Sequence, residues 1–243
     1  MTRPVRKSSG NRLTAMMQVR NEADRYLDTV LRCLSEFVDD VVIVDDASTD
    51  GTPDLCRDFK KVVKLVVLPE SQFRREWNLR SLLWDVAVST HPDWLLAVDA
   101  DELYEDRAKE EIRALIDQDQ YDWVAFRMFD MWGGLTHYRE DEHWNLHKRY
   151  TVTLVRFLPG YHYFFPPMDL HVPRVPLSYG PLPGLCSPIR IKHLGWVGPR
   201  EYLQQKYERY MALDPDGRWG SLAQYRSILE PNPRLVEWRE DGE

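Results

Sequence analysis

Residues 39–56 read DDVVIVDDASTDGTPDLC, and the order of residue types in this stretch decides the fold. Val41-Val42-Ile43-Val44 is an apolar run with no alternation, the pattern of a strand covered on both faces. It runs straight into Asp45-Asp46 and then the polar turn Ser48-Thr49-Asp50-Gly51. Two carboxylates at the end of a buried strand cost stability unless something binds them. A ligand is therefore expected at that end of the strand.

Working outward, the flanking segments repeat the pattern. RLTAMMQV, from Arg12, and VVKLVVLP, from Val62, read as strands, as does DWLLAVDADE, from Asp93. Between them lie helical stretches. NEADRYLDTVLRCLSEF carries Tyr26, Leu27, Val30, Leu31, Leu34 and Val38 at helical spacing, with Asn21 as its expected N-cap. PDLCRDFKK is a short helix with Pro53 at its start. FRREWNLRSLLWDVAVST is a longer one, with Trp77, Leu82 or Leu83, and Val86 expected toward the core. RAKEEIRALIDQ is a further helix. Strands alternating with helices imply a parallel sheet with crossover connections, an α/β fold.

After residue 120 the pattern changes. DWVAFRMFDMW and KRYTVTLVRF read as strands around a polar, aromatic loop, followed by an irregular Pro- and Gly-rich stretch from Pro159 to Pro188. IRIKHLGW is a last strand and PREYLQQKYERYMAL a helix. The chain is expected to be one domain in two halves: a flexible basic lead-in over 1–11, an alternating half over 12–120, and an irregular half over 121–243 with a C-terminal helical segment.

Composition narrows the function. A net charge of -7 without a Lys/Arg block argues against nucleic acid as a partner. No apolar run approaches a membrane span, and MTRPVRKSSGN lacks the apolar core of a secretory signal. Three cysteines, Cys33, Cys56 and Cys186, without CxxC spacing fit a reduced, cytoplasmic protein. The aromatic residues of Trp132-Gly133-Gly134 and YHYFFPPM are expected either to stack on a flat ligand or to pack in the core.

Ligands of parallel α/β sheets sit beyond the carboxyl ends of the strands. Three strands here end in polar clusters: Arg20-Asn21-Glu22, Asp45-Asp46, and Asp99-Ala100-Asp101-Glu102. Asp99 and Asp101, two apart in an extended chain, point to the same side. Their hard oxygens suit Mg²⁺ or Mn²⁺, whose shell a diphosphate would complete. Asp117-Gln118-Asp119 and Asp214-Pro215-Asp216 share the spacing but read as surface turns, because no apolar strand precedes them.

TAMMQVRNEADRYLDTVLRCL, VVIVDDASTDGT and WLLAVDADE, in that order over residues 12 to 105, resemble the family 2 glycosyltransferases. The resemblance implies the GT-A fold, a Rossmann-like, mostly parallel central sheet flanked by helices, with an irregular acceptor-side second half. It implies metal-dependent, inverting transfer of one sugar from a nucleotide-diphosphate sugar, with UDP the favoured nucleotide. The acceptor would be a glycan, glycolipid, peptide or small molecule, with peripheral contact at the inner membrane face as one setting.

Val19, Arg20, Glu22, Asp45 and Asp46 would then hold the nucleotide base, joined by Arg75 and Asn78. Asp99 and Ala100 would lie by the ribose or metal, and Asp101 and His193 would join Asp99 as metal ligands. Inversion needs a base for the acceptor hydroxyl. Such enzymes often carry a His-Glu pair before the last strand, but here His171 is followed by Val172. Asp169 and Asp130 are the candidates that remain. Lys192 is a candidate phosphate contact. The absence of Q-x-x-R-W argues against a processive synthase. A degenerate nucleotide-sugar or glycan binder is the alternative, or a nucleotidyltransferase-like enzyme, which the glycine-free QVRNEADRY disfavours.

Overall fold

A computed structural model describes residues 6–240 of the chain. Its centre is an eight-stranded sheet. The first half supplies β1 (Leu13–Val19), β2 (Asp40–Asp45), β3 (Val62–Val67) and β4 (Trp94–Ala97), in the spatial order β3-β2-β1-β4 and all parallel. The second half adds β6 (Trp123–Asp130), β8 (Thr151–Arg156) and β9 (Gly184–His193) to the same sheet, with the short β5 (Glu102–Tyr104) at its far edge. β8 is antiparallel to both β4 and β6, whereas β9 runs parallel to β6. The second half thus extends the parallel sheet as a mixed one, over pairings too distant in sequence for local patterning to show. β7 (His137–Arg139) and β10 (Leu235–Glu237) form a separate antiparallel pair.

The unbroken apolar runs are explained by burial on both faces. Met17, Val41, Ile43 and Leu96 enter one core cluster, while Met16, Val42, Val44 and Leu95 enter the other. The first cluster lies under α1 (Leu27–Ser35) and α4 (Ala108–Ile116), the second under α3 (Glu76–Val88). Each such side chain taken fully out of water contributes about 1.5–3 kcal/mol.

Several local expectations change. Asn21 does not cap α1, which begins at Leu27 after a Tyr26 cap. Asn21 takes a left-handed backbone (φ 54°), and its Oδ1 accepts from Thr49 N at 2.8 Å. Ser48 Oγ accepts from Asn21 N, and Thr52 Oγ1, at the start of α2 (Thr52–Asp58), accepts from Glu22 N. The Ser-Thr-Asp-Gly turn therefore braces the loop leaving β1. This cross-brace uses the Asn21 side chain that an N-cap would need.

Trp77 is exposed on α3, whose buried face is Glu76, Leu79, Arg80, Leu83, Trp84 and Ala87. Two charged residues on that stripe shift its phase from the apolar one. Asp214 is buried rather than in a surface turn, accepting from Arg218 N, Trp219 N and Gly220 N after α5 (Arg200–Leu213). Within the lead-in, residues 1–5 lie outside the described residues. From Arg6 on the chain is docked: Arg6 forms an ion pair with Asp122, Lys7 with Asp93, and Asn11 is buried.

Candidate functional site

The ends of β1 and β2 are held level, Val19 paired with Asp45 and Asp46 N donating to Val19 O. Val98, just past β4, donates to Met16 O, so the chain of Asp99-Ala100-Asp101 leaves the sheet at the same edge. From the other half, His193 at the end of β9 lies in register between Glu102 of β5 and Asp130 at the end of β6. One sheet edge thus gathers acidic groups from four segments and an imidazole.

A cleft in two lobes covers this edge. The first lobe, about 760 Å³, is lined by Val19, Arg20, Glu22, Asp46, Asp99, Ala100 and Asp101, and by Arg25, Arg74, Lys206 and Arg209. The second, also about 760 Å³, is lined by Glu76, Arg80, Asp130, Arg174 and His171, with Trp144, Tyr225 and Arg149 on its outer wall. Gln18, Phe73, Asp99, His193, Trp196 and Tyr210 line both. Each lobe is of a size that takes a small ligand.

Charge within the cleft is tightly partnered. Asp99 lies 3.4 Å from Arg80 and 2.9 Å from Arg174. Burial works against its ionisation, but the two guanidiniums outweigh that and hold its carboxyl below the ordinary value. Arg174 also pairs with the fully buried Glu102, and Arg80 with Glu76 at 3.1 Å. Asp46 accepts from Ser71 Oγ and Gln72 N, each at 2.6 Å, and lies 3.6 Å from Arg20. Lys206 donates to Gly195 O at 2.5 Å and lies 4.2 Å from the centre of the Trp196 ring. Burial pulls the Lys206 pKa down to about 8.

Around Gly195 three polar atoms converge. A β-carbon there would stand 2.6 Å from His193 Nε2, 2.8 Å from Asp101 Oδ2 and 2.9 Å from Lys206 Nζ. Asp101 Oδ2 and His193 Nε2 are 3.7 Å apart. Among the described residues no three His, Cys, Asp or Glu side chains form a closed metal cage. An open pair of one carboxylate and one imidazole, facing a lobe large enough for a diphosphate, nonetheless suits a hard cation that takes substrate oxygens. The residues present fit Mn²⁺ or Mg²⁺. Burial opposes charge on His193, yet Asp101 and Asp130 keep its pKa above the ordinary imidazole value.

The sequence profile described as Glycosyl transferase family 2 matches residues 14–170, well over half of the chain. The chain belongs to glycosyl transferase family 2. The architecture of this family 2 chain is that of GT-A glycosyltransferases. S. aureus TarS superposes with a TM-score of 0.56 at 16% identity, over 90% of this chain and 42% of that one. TarS 1–349 in complex with UDP gives 0.54 at 17%, over 90% and 69%. The mannosyltransferase PcManGT of Pyrobaculum calidifontis, in complex with GDP-Man and Mn²⁺, gives 0.50 at 17%, over 93% and 70%. In sequence, an uncharacterized Mycobacterium tuberculosis protein is 29% identical over 232 residues, 90% of this chain and 54% of that protein. The family 2 chain spans about half the length of the curated relatives it matches.

Placed on this family 2 chain, the residues singled out from sequence divide. Val19, Arg20, Glu22, Asp46, Asp99, Ala100, Asp101 and His193 line the first lobe, and Asp130 lines the second. Asp45 lines neither: it is fully buried, and its Oδ1 accepts from Ser48 N to shape the turn. Arg75 and Asn78 face away, because α3 presents Glu76, Leu79 and Arg80 to the cleft instead. Asp169 has an exposed side chain outside both lobes, and only its carbonyl is engaged, by Glu76 N.

Lys192 alternates to the opposite side of β9 from His193 and pairs with Glu240. Trp132, Tyr163 and Phe165 pack into core clusters, and the cleft's rings come from Phe73, Trp144, Trp196, Tyr202, Tyr210 and Tyr225. Gln18, Glu76, Arg80, Arg174, Lys206 and Arg209 are cleft residues that sequence reading missed. The one available signal was a Glu and an Arg at core phase on a helix.

Glu22 yields a pH prediction. Burial, then repulsion from Asp101, raises its pKa from 4.5 to about 7, and its Oε2 has no hydrogen-bond partner. Folding therefore raises this pKa, so ionised Glu22 costs stability that sets in as pH rises from 4.5 to about 7. In metal-free protein, Glu22→Gln is expected to melt higher than wild type at pH 8 and level with it at pH 4.5. Equal melting temperatures at both pH values would contradict the burial of that charge.

Proposed function

We propose that this chain transfers a single sugar, with inversion, from a nucleotide-diphosphate sugar to an acceptor hydroxyl. The observation that carries the reading is the two-lobed cleft meeting at Asp99, His193 and Trp196. The first lobe has the mixed charge a metal-bound diphosphate needs, and the second holds carboxylates beside aromatic rings. The UDP and GDP-Man complexes of the structural relatives support a nucleotide-sugar donor, and we favour UDP.

In this reading the base and ribose lie along Val19, Arg20 and Asp46, and Glu22 faces the same lobe. Asp46 accepts from the base while Ser71, Gln72 and Arg20 hold its carboxylate in place. Arg25, Lys206 and Arg209 offset the charge of the diphosphate. Asp101 and His193 would hold Mn²⁺ or Mg²⁺, which when bound supplies Lewis-acid stabilisation of the leaving diphosphate. Asp99, held by Arg80 and Arg174, serves the sugar side of the shared wall.

The acceptor hydroxyl enters from the second lobe. Besides Asp99, the carboxylates there are Glu76 and Asp130. Glu76 Oε2 accepts only a long bond, 3.3 Å, from Val172 N. The position where the family resemblance implies a Glu holds valine, and its backbone meets the Glu76 carboxylate. Glu76 is therefore placed to take the proton as the oxygen attacks in line.

No helix among the described residues is long and apolar enough to cross a membrane. The acceptor class remains glycan, glycolipid, peptide or small molecule, and a cytoplasmic site of action accords with three unpaired thiols.

The test is release of nucleoside diphosphate from a panel of UDP- and GDP-sugars with Mn²⁺. Wild type should turn over at least one donor, and Glu76→Gln should lose about 10²–10⁴-fold in rate with nucleotide affinity kept. Turnover unchanged in Glu76→Gln removes it as base. No turnover with any donor, despite nucleotide binding, favours the binding-protein alternative.

A further inference from the structure

Asp130 presents one carboxylate oxygen to two donors. Its Oδ1 lies 2.7 Å from His193 Nδ1 and 3.1 Å from Trp196 Nε1. The carboxylate is buried, and parallel pairing of β6 with β9 sets Asp130 directly beside His193. An ionised carboxylate only accepts, so the bond to Nδ1 fixes the proton there and leaves the Nε2 lone pair free. Nε2 is the atom that faces Asp101 Oδ2, 3.7 Å away, above Gly195. The second bond holds the indole of Trp196, which lines both lobes.

We infer that Asp130 is a positioning residue: it sets the tautomer and ring angle of His193 toward a divalent cation and ties that imidazole to the wall between the lobes. A carboxylate behind a metal-binding histidine has this role generally, and its loss weakens metal binding about 10–100-fold. The inference rests on the reading that Asp101 and His193 hold the cation. It gives Asp130 a supporting role, carried by the one oxygen, Oδ1, that serves both protein donors.

Two measurements test it without turnover. The first follows free Mn²⁺ by electron paramagnetic resonance in titrations of wild type, Asp130→Asn and His193→Ala. Asp130→Asn keeps the size of the side chain, but its amide can turn an N–H toward Nδ1 and favour the wrong tautomer. The expected result is weaker Mn²⁺ binding in both variants, with Asp130→Asn down about 10–100-fold. If His193→Ala weakens binding and Asp130→Asn does not, positioning by Asp130 is overturned while the metal reading stands. If neither variant differs from wild type, the metal reading fails and takes the inference with it.

The second reads the tautomer in the wild-type protein itself. Long-range ¹H–¹⁵N correlation of the imidazole nitrogens in metal-free wild type, recorded at a pH where His193 is neutral, should show the Nδ1–H tautomer. His193→Gln identifies the signal. An Nε2–H tautomer in wild type overturns the proposal outright.

Discussion

Arg174→Leu is expected to destabilise the protein by about 3 kcal/mol, the scale on which breaking a buried charge cluster acts. For a chain of 243 residues that is a fall of roughly 6–12 °C in melting temperature. Arg174 is the guanidinium that spans Asp99 and the fully buried Glu102. Without it, the fully buried Glu102 loses its guanidinium partner, and Asp99 keeps only the longer contact to Arg80. Leucine preserves much of the packing volume, so the loss reads the charge rather than a cavity. Arg174→Lys should fall between, since one ammonium cannot face both carboxylates as a planar fork does. A melting temperature within about 2 °C of wild type for Arg174→Leu would show that the cluster is solvated and only loosely paired.

Gly195→Ala should act on the cation site that Asp101 and His193 would form. The added methyl would meet His193 Nε2, Asp101 Oδ2 and Lys206 Nζ all within 3 Å, and none of the three can remain in place. Lys206 can retreat along its flexible stem. His193 is held from behind by Asp130, and Asp101 follows directly on the sheet edge, so the two groups that face the cation must part. The expected loss of Mn²⁺ affinity is about tenfold or more. Gly195 is itself buried, so the melting temperature of metal-free protein is measured alongside and Mn²⁺ affinity is read on the folded protein. Wild-type Mn²⁺ affinity in Gly195→Ala would place the cation elsewhere.

The parts of this molecule that were legible in its sequence are those set by local chemistry. VVIV and WLLAV lack polar interruptions because their sheet is covered on both faces, and acidic residues at their ends mark the cleft edge. Residues that act through long-range pairing were not legible. Asp130 meets His193 only because β6 and β9 pair across 63 positions. Arg174 reaches the cleft from an irregular stretch with no periodicity to phase it. Glu76 and Arg80 break the apolar stripe of α3, so a reading by hydrophobicity puts Trp77 inside, while Arg75 and Asn78 are set at the ligand by the family resemblance and not by any pattern in this helix. Tyr163 and Phe165 of YHYFFPPM pack against the core beneath α3, while Phe164 is exposed. Asp45 and Asp46, identical in type and adjacent, separate by strand alternation into a turn-former and a cleft carboxylate.

The most direct measurement is a calorimetric titration of UDP into wild-type protein, once with Mn²⁺ and once with the metal removed by EDTA. A donor site formed by the sheet edge and an open Asp101–His193 pair should bind UDP with Mn²⁺ and far more weakly without it. Failure of UDP, GDP, CMP and dTDP alike to bind under either condition would contradict a nucleotide-sugar site in this cleft.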